Sequence, residues 1–400
     1  MTDAAAQYMA IILHVGPLPG HPSTIDGPPS DGDCRVSDSE QTRVAMNSPG
    51  VAVQQTVAGN GGLLSLIQKF PTVAFIAASI VIVNLFIPAT KFADFPVYLW
   101  ITDALYYYNP GGWFGFEAGS NLLFIGLRAL TGNTVMAISV AHYLLGAFFV
   151  FAMLRFAQRD EVGWRGMLMA FGLYGALLSF VTIRATPAYM LVTFGALEIA
   201  RGRARGVLFA LLGTMFHVSA ILAVPPMIVG LAQNRLRVLS WMTDSTKALV
   251  AVVGLGMLLF GLLQGLFNSA LLAVVNAIPF LNKYIVYTAG LDPINANQSG
   301  GRSINHLIYA VVVSAFVFAF VIVRNETCRR LRGYVLTSYI LFLILEIAPV
   351  TAYRQSQFWM LPALFVFPWQ LLAPTGLRAW LFGGLFILSF FFAVPGVIWW

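Results

Sequence analysis

Residues 134–154 read TVMAISVAHYLLGAFFVFAML, an apolar run without an acidic or basic side chain apart from one histidine, and the run ends at Arg155. A run of this length crosses the hydrocarbon core of a bilayer as a single helix. The rest of the chain resembles it, since 58% of all residues are hydrophobic and only 10% are charged. Soluble domains carry about 25% charged residues, so the sequence predicts a membrane protein with many spans.

Basic residues mark one side of these spans. After Lys69 the chain has 20 Lys and Arg residues, and 14 of them lie in five short connections: 155–165, 201–205, 235–247, 324–332 and 378. Connections rich in Lys and Arg stay in the cytoplasm. We therefore predict an all-α transmembrane bundle of about ten or eleven spans. Because the basic residues are dispersed as loop anchors, we expect no nucleic-acid partner.

The first 69 residues differ from the rest of the chain. They hold six acidic residues and turn-forming clusters such as Gly27-Pro28-Pro29-Ser30, and no periodic apolar segment. This composition predicts a disordered acidic cytoplasmic tail over 1–69. The transmembrane domain then covers 70–400, with long external loops at 89–121 and 276–306.

The stretch 206–232 does not fit a single crossing. It begins after one basic cluster, which ends at Arg205, and it ends at another, which begins at Arg235. If both clusters are cytoplasmic, the chain must turn back within the membrane, and Pro225-Pro226 interrupts any helix there. We predict a broken or re-entrant helix with His217 near its apex, and such breaks occur only where they are buried or line a cavity.

Three arginines fall at span ends on the opposite, external side: Arg184, Arg302 and Arg354. A cation there gains nothing from the charge bias and must lose part of its hydration, so we expect it to bind an anion. The planar guanidinium group matches phosphate oxygens. The same side holds Asp94, Glu117 and His217, which are groups that can take a proton from an attacking hydroxyl.

The sequence contains no cluster of Cys and His at metal-ligand spacing and no phosphate-binding glycine loop before a lysine. We therefore expect neither a metal nor a cofactor, and no cytosolic nucleotide hydrolysis.

Five short elements occur in an order that resembles the EpsG family of polysaccharide polymerases, which are similar in function to Wzy-type O-antigen polymerases. The elements are Asp94-Phe-Pro-Val-Tyr98, Phe116-Glu117-Ala-Gly119-Ser-Asn-Leu122-Leu123, Arg184-Ala-Thr-Pro-Ala188, Phe216-His217-Val-Ser219 before Pro225, and Arg354 before the final spans. The resemblance covers about 90–370. Two positions depart from the family pattern, with Ala118 in place of Pro and Ala185 in place of Gln.

The resemblance implies a multi-pass glycosyltransferase of the bacterial inner membrane. Such an enzyme joins oligosaccharide repeats carried on undecaprenyl pyrophosphate, at the periplasmic leaflet, during exopolysaccharide or O-antigen biosynthesis. An acceptor sugar hydroxyl attacks the anomeric carbon of the donor and displaces the lipid pyrophosphate with inversion, without a metal. A flippase and a chain-length regulator of the same pathway are the expected partners.

Within that resemblance each candidate residue receives a role. We predict His217 as the base, with Glu117 or Asp94 as the second choice. The pyrophosphate is expected to bind three arginines, and the sugar is expected to be bound or oriented by three further side chains. The arginines are Arg184, Arg302 and Arg354, and the further side chains are Tyr98, Ser219 and His306.

Other functions remain open at this point. A glycan ligase or a polyprenyl-phosphate-dependent glycosyltransferase has the same sequence features. A flippase for lipid-linked oligosaccharides also suits a broken helix and the intramembrane Glu346. A membrane acyltransferase would need a site open to the cytosol, which the external position of the charged set disfavours.

Overall fold

The computed structural model describes residues 52–92, 94–108, 117–233, 304–323, 325–345, 349–371 and 383–385, together with the single residues 245, 254, 273, 277 and 376. The chain divides into two compact units, Met1–Val57 and Ala58–Trp400. Nearly all of the first unit lies outside the described residues, and the fold below is that of the second.

The described chain is helical, and it contains no strand, which confirms the predicted all-α class for this part. The longer helices are α1 (Ala52–Phe86), α2 (Phe95–Asp103), α3 (Ala118–Thr131), α4 (Thr134–Ala157), α5 (Trp164–Ala170), α6 (Ala176–Phe180), α7 (Ala185–Ala200), α8 (Arg205–Gly213), α9 (Val224–Gln233), α10 (Ile304–Ile322), α11 (Glu326–Leu345) and α12 (Pro349–Val366). Short 3-10 turns lie at Ala89–Lys91, Val218–Ala223 and Trp369–Leu371, and π-helical turns at Ala104–Tyr108 and Phe171–Gly175.

The first helix begins earlier than the sequence predicts. Helix α1 starts at Ala52, so residues 52–69, for which the composition predicts an irregular tail, continue into the first apolar helix without a break. Residues 1–51 of the predicted tail lie outside the described residues.

Two of the described helices are long and apolar enough to cross a membrane, Leu66–Phe86 and Thr134–Ala157. Three shorter apolar helices cover Ala185–Ala200, Val218–Gln233 and Tyr309–Ile322. Only 28% of the apolar window in Leu66–Phe86 is buried, whereas the core helix of a soluble protein would be mostly covered. The total of ten or eleven spans stays a prediction, since two of the apolar runs that the sequence predicts to be spans, 248–274 and 379–400, lie almost entirely outside the described residues.

Charged residues collect at the carboxyl end of α7. Glu198 is 1% exposed and accepts hydrogen bonds from Arg159 at 2.7 Å and from Arg205 at 2.6 Å. Lys69 lies at the same end, where its Nζ donates to the carbonyl of Arg159 at 2.7 Å. Basic residues from three separate parts of the sequence therefore meet here, and Arg184 lies at the other end of this 16-residue helix, about 24 Å away.

The interruption predicted in 206–232 is present, but the two prolines do not cause it. Pro225 and Pro226 lie in the first turn of α9, where a missing N–H costs nothing. The chain leaves helical geometry earlier, over Thr214–His217, and His217 itself is extended, with φ of −150°. His217 therefore lies at the break itself.

Close packing of α5 against α12 depends on a glycine. A methyl group added at Gly166 would overlap the carbonyl oxygen of Leu364 and the Cα of Phe365, and both are backbone atoms that have no rotamer to move. Gly126, in α3, has no atom within 4 Å of the equivalent position.

We expect Gly166→Ala to lower the stability of the protein by about 1–3 kcal/mol, because the added methyl group forces two helix backbones apart. Gly126→Ala should be neutral or slightly stabilising, since alanine favours the helix by about 0.5–1 kcal/mol. Thermal unfolding of the two variants in detergent measures the difference. Equal melting temperatures would show that α5 and α12 are not packed this closely.

Candidate functional site

The start of α3 holds the broken segment between α8 and α9. The break leaves the carbonyls of Met215 and Phe216 without partners in their own helix. Gly119 donates its backbone N–H to Met215 at 2.8 Å, and the Ser120 hydroxyl donates to Phe216 at 2.8 Å. A Cβ at position 119 would lie 3.1 Å from the Phe216 ring and 3.2 Å from the Met215 carbonyl oxygen, so glycine allows this close approach without a shift of either neighbour. The polar backbone of the break is thus satisfied within the protein, as an apolar environment demands.

Glu117 connects this break to a cation. Its Oε1 accepts from His217 Nδ1 at 2.8 Å and from the N–H of Val218 at 3.2 Å, while its Oε2 accepts from Arg184 at 2.7 Å. The side chain is buried, with 6% exposed. Both carboxylate oxygens are therefore directed, one to the broken helix and the other to the first residue before α7.

The backbone of Glu117 is unusual. It has φ of 68° and ψ of 38°, in the left-handed region, and it is the one non-glycine residue in the described chain with positive φ. Residues other than glycine pay roughly 1 kcal/mol or more for this conformation, and it persists only where surrounding contacts hold it. The bonds to His217, Val218 and Arg184 are those contacts, and strain of this kind concentrates at functional sites.

The same contacts set the charge of Glu117. Burial would raise the pKa of this carboxyl, but the hydrogen bond from His217 and the charge of Arg184 outweigh burial and hold the pKa at about 2. Glu117 is therefore ionised at neutral pH. An ionised carboxylate only accepts hydrogen bonds, so His217 Nδ1 carries a proton, and in the neutral imidazole the second ring nitrogen, Nε2, is an acceptor.

We expect the protein to lose stability as the pH falls from 4.5 toward 2 because of Glu117. A carboxyl with a depressed pKa contributes stability above its ordinary pKa of 4.5, and this contribution is lost as the pH falls through the folded value of about 2. Melting temperatures measured across this range should fall more steeply for the wild type than for Glu117→Gln, which has no charge to lose. Parallel curves would contradict the assignment.

Arg184 lies between two acidic groups and an aromatic ring. It immediately precedes α7 and lies 6.0 Å from the centre of the Tyr98 ring, whose hydroxyl lies beside the backbone of Arg184. One terminal nitrogen of Arg184 donates to Glu117, but the buried Nε of Arg184 has no hydrogen-bond partner among the residues that the structure describes. This guanidinium group therefore keeps a donor available for a further acceptor.

Asp94 and Arg354 complete the group of charges. The side chain of Asp94 lies beside the Tyr98 hydroxyl, and Asp94 interacts electrostatically with Arg354 and Arg184. Burial raises the pKa of Asp94, and the two arginines act against that rise. Arg354 is exposed, on the first turns of α12.

The structure thus brings together six of the nine residues singled out from the sequence: Asp94, Tyr98, Glu117, Arg184, His217 and Arg354. Ser219 lies in the 3-10 turn just after His217, and its hydroxyl is buried without a partner in the described part of the chain. Arg302 lies outside the described residues, and so does the side chain of His306. Their predicted places in the site stay predictions.

Sequence reasoning missed a set of buried polar residues beside this group. Tyr174, Tyr309 and Ser356 share hydrogen bonds, and Gln357 is buried next to them. Tyr174 and Tyr309 each lie alone in an apolar run, where a tyrosine suggests an interfacial anchor. The polar sequence Gln355-Ser356-Gln357 next to Arg354 is the feature from which these buried polar residues could have been predicted.

The arrangement supports proton abstraction next to an anion site. A histidine with a free Nε2, oriented through Nδ1 by an ionised carboxylate, is a suitable general base. Two arginines close by can stabilise negative charge that develops on a leaving group. Over the described residues no group of three or more His, Cys, Asp or Glu side chains could hold a metal ion.

Comparison with known proteins agrees with the motif order. A family model described as the EpsG family matches residues 73–396, which is most of the chain. No curated protein and no solved structure matched the chain. The match includes every residue of the site described above.

Proposed function

The chain belongs to the EpsG family, and from that premise we propose that it is a polysaccharide polymerase that joins lipid-linked oligosaccharide repeats. Family membership indicates a membrane protein with a polymerase-type function in exopolysaccharide synthesis. The substrates in our proposal are a growing glycan and a single repeat unit, each carried on undecaprenyl pyrophosphate.

The observation that carries the proposal is the position of Glu117 between His217 and Arg184, at 2.8 Å and 2.7 Å. In the proposed reaction, His217 Nε2 takes the proton of an acceptor sugar hydroxyl. That oxygen then bonds to the anomeric carbon of the donor, and the bond from this carbon to the pyrophosphate oxygen breaks. Glu117 orients the imidazole and stabilises the imidazolium that forms.

The arginines act on the leaving group. The pyrophosphate departs with the bonding electrons, so negative charge grows on its oxygens as the bond breaks. Cations that are fixed before the reaction stabilise this charge without reorganisation. Arg184 has a buried Nε that finds no partner in the described residues, which supports such a role. We propose Arg354 as the second cation, and Arg302 as a third on the grounds of the sequence alone.

The remaining parts of the proposal follow from this chemistry. A lipid pyrophosphate is already an activated donor, so the reaction needs neither nucleotide hydrolysis nor a metal. A single displacement inverts the anomeric centre. Asp94 is the alternative base, and Tyr98, Ser219 and His306 are proposed to bind or orient the sugar.

We also propose that the protein is a multi-pass protein of the bacterial inner membrane with its site at the periplasmic leaflet. Support comes from α7, which has the basic cluster around Glu198 at one end and Arg184 at the other. The positive-inside bias assigns the first end to the cytoplasm. A flippase that delivers the repeats and a regulator of chain length are the proposed partners.

A deletion strain tests the polymerase proposal in cells. Loss of a polymerase leaves single repeats on the lipid carrier at the periplasmic face, and expression of the wild-type chain restores long polymer. Full-length chains that accumulate on the carrier would instead identify a ligase. Repeats trapped on the cytoplasmic leaflet would identify a flippase, and either result would overturn the proposal.

A further inference from the structure

A second group of polar side chains is buried between α10, α12 and the π-helical turn Phe171–Gly175. We call it the hydroxyl cluster, and it consists of Tyr174, Tyr309, Ser356 and Gln357. Tyr174 is 1% exposed, and Ser356 and Gln357 are both fully buried. Tyr309 is half-buried and is the least covered member of the cluster.

The hydrogen bonds in this cluster form a series in which each hydroxyl donates its proton to the next oxygen. Ser356 donates to the backbone carbonyl of Tyr353 at 2.6 Å, so its oxygen accepts from Tyr309. The Tyr309 proton is then used, and its oxygen accepts from Tyr174 at 2.8 Å. A hydroxyl has one proton and two lone pairs. The oxygen of Tyr174 therefore ends the chain beside the Ser356 hydroxyl, whose proton is donated to Tyr353, and it keeps a lone pair for which no described residue supplies a hydrogen bond of normal geometry.

Gln357 adds donors to the same place. It lies four residues after Tyr353, on the same face of α12, and its amide is next to the Tyr353 hydroxyl. Neither its nitrogen nor its oxygen makes a hydrogen bond of normal geometry with any part of the chain that the structure describes. A buried amide without partners costs about 1–3 kcal/mol, whereas leucine at this position would cost nothing of this kind.

Backbone geometry also marks this place. Tyr174 lies in a π-helical turn between α5 and α6. Such turns are rare, and they occur frequently at functional sites. The ring of Tyr353 lies 5.0 Å from that of Tyr309 and 6.4 Å from that of Tyr174.

The hydroxyl cluster adjoins the charged site. Tyr353 and Arg354 are consecutive in α12, and Tyr189 of α7 lies close to Arg354, Tyr353 and Tyr98. The cluster itself carries no charged side chain. The two regions together therefore fit a ligand with an anionic end and a neutral end that is rich in hydroxyl groups.

We propose that Tyr174 and Gln357 form a subsite that binds sugar hydroxyls of the lipid-linked repeat while its pyrophosphate lies at the arginines. A sugar hydroxyl both donates and accepts, which matches the open acceptor on Tyr174 and the open amide of Gln357. This inference rests on the proposed function. An ordered water is the other occupant that the same hydrogen-bonding groups would accept.

The test uses the full-length protein in mixed micelles with lipid-linked repeats isolated from the deletion strain. Two conservative variants, Tyr174→Phe and Gln357→Leu, each remove the open polar group and keep the shape. We expect KM for the repeat to rise about threefold to tenfold in each, as the loss of one neutral hydrogen bond predicts, with kcat nearly unchanged. Gln357→Leu should also leave the melting temperature of the free protein unchanged or higher.

Tyr334→Phe is the matched control. Tyr334 is a fully buried tyrosine of α11 whose hydroxyl donates to the carbonyl of Phe358, and its loss should affect stability and leave KM as it is. Wild-type KM in both test variants, or a lower melting temperature for Gln357→Leu, would identify a structural or water-filled cluster and overturn the subsite. A wild-type protein that does not elongate the repeats would overturn the proposed function itself.

Discussion

Arg184→Ala is expected to reduce polymer synthesis by about 10²- to 10³-fold, which is the loss seen when one fixed donor to a developing negative charge is removed. Arg184 donates to Glu117 at 2.7 Å and has a buried Nε without a partner in the described structure. Alanine removes both the donor for the leaving group and the counter-ion of Glu117. Polymer length and amount, measured in the complemented deletion strain at matched protein level, give the result.

Two further substitutions separate catalysis from folding. Arg184→Lys keeps a positive charge for the buried Glu117, but lysine lacks the planar fork, so we expect a folded protein with low activity. Arg128→Ala removes a half-buried arginine that contacts Tyr106 and Tyr107 and has no acidic partner among the described residues. It should retain wild-type synthesis. Full activity of Arg184→Ala, or equal losses in all three variants, would contradict the role of Arg184.

His217→Gln is expected to lower the rate by about 10²- to 10⁴-fold, the usual contribution of a general base. Glutamine keeps the size and a donor for Glu117, but it provides no basic nitrogen. The change should lower kcat with little effect on KM for the repeat, because the proton is taken only as the reaction proceeds. Steady-state rates of the purified variant measure it, and a kcat near that of the wild type would exclude His217 as the base.

A double substitution tests whether Glu117 acts through His217. If the carboxylate orients the imidazole, Glu117→Gln lowers kcat less than His217→Gln does. The double variant His217→Gln with Glu117→Gln should then be no slower than His217→Gln alone, since residues that act as a unit have non-additive effects. Multiplicative losses would mean that the two groups act independently.

Charge and hydropathy predicted a large part of this molecule. The helical class follows from apolar runs such as 134–154, which forms α4 over Thr134–Ala157. The sequence also predicted that the basic connections and Arg184 lie at opposite ends of the helices. This prediction was possible because the positive-inside bias depends on Lys and Arg residues, which can be counted in a sequence. The motif order indicated the family, whose match covers 73–396.

Contacts between residues that are distant in sequence could not be predicted from the sequence. Glu117 and His217 are 100 residues apart, and no local pattern announces that Oε1 of one meets Nδ1 of the other. The prolines at 225 and 226 suggested the wrong cause for the break, because a proline in the first turn of a helix is permitted. The break depends instead on Gly119 and Ser120, which satisfy the carbonyls at 215 and 216.

The hydroxyl cluster shows the same limit. Tyr174 and Tyr309 are 135 residues apart, and each looks like an ordinary aromatic residue in an apolar run. Only the folded chain reveals that their hydroxyls form one directed series that ends at an open acceptor.

The most direct test of the central claim is the release of lipid pyrophosphate by purified protein in liposomes that contain only undecaprenyl-pyrophosphate-linked repeats. No nucleotide is added, and His217→Gln serves as the inactive control. We expect longer glycans on the lipid and one free undecaprenyl pyrophosphate for each new glycosidic bond in the wild type alone. Repeats that stay single without release of the carrier, or release that is equal in the wild type and His217→Gln, would contradict it.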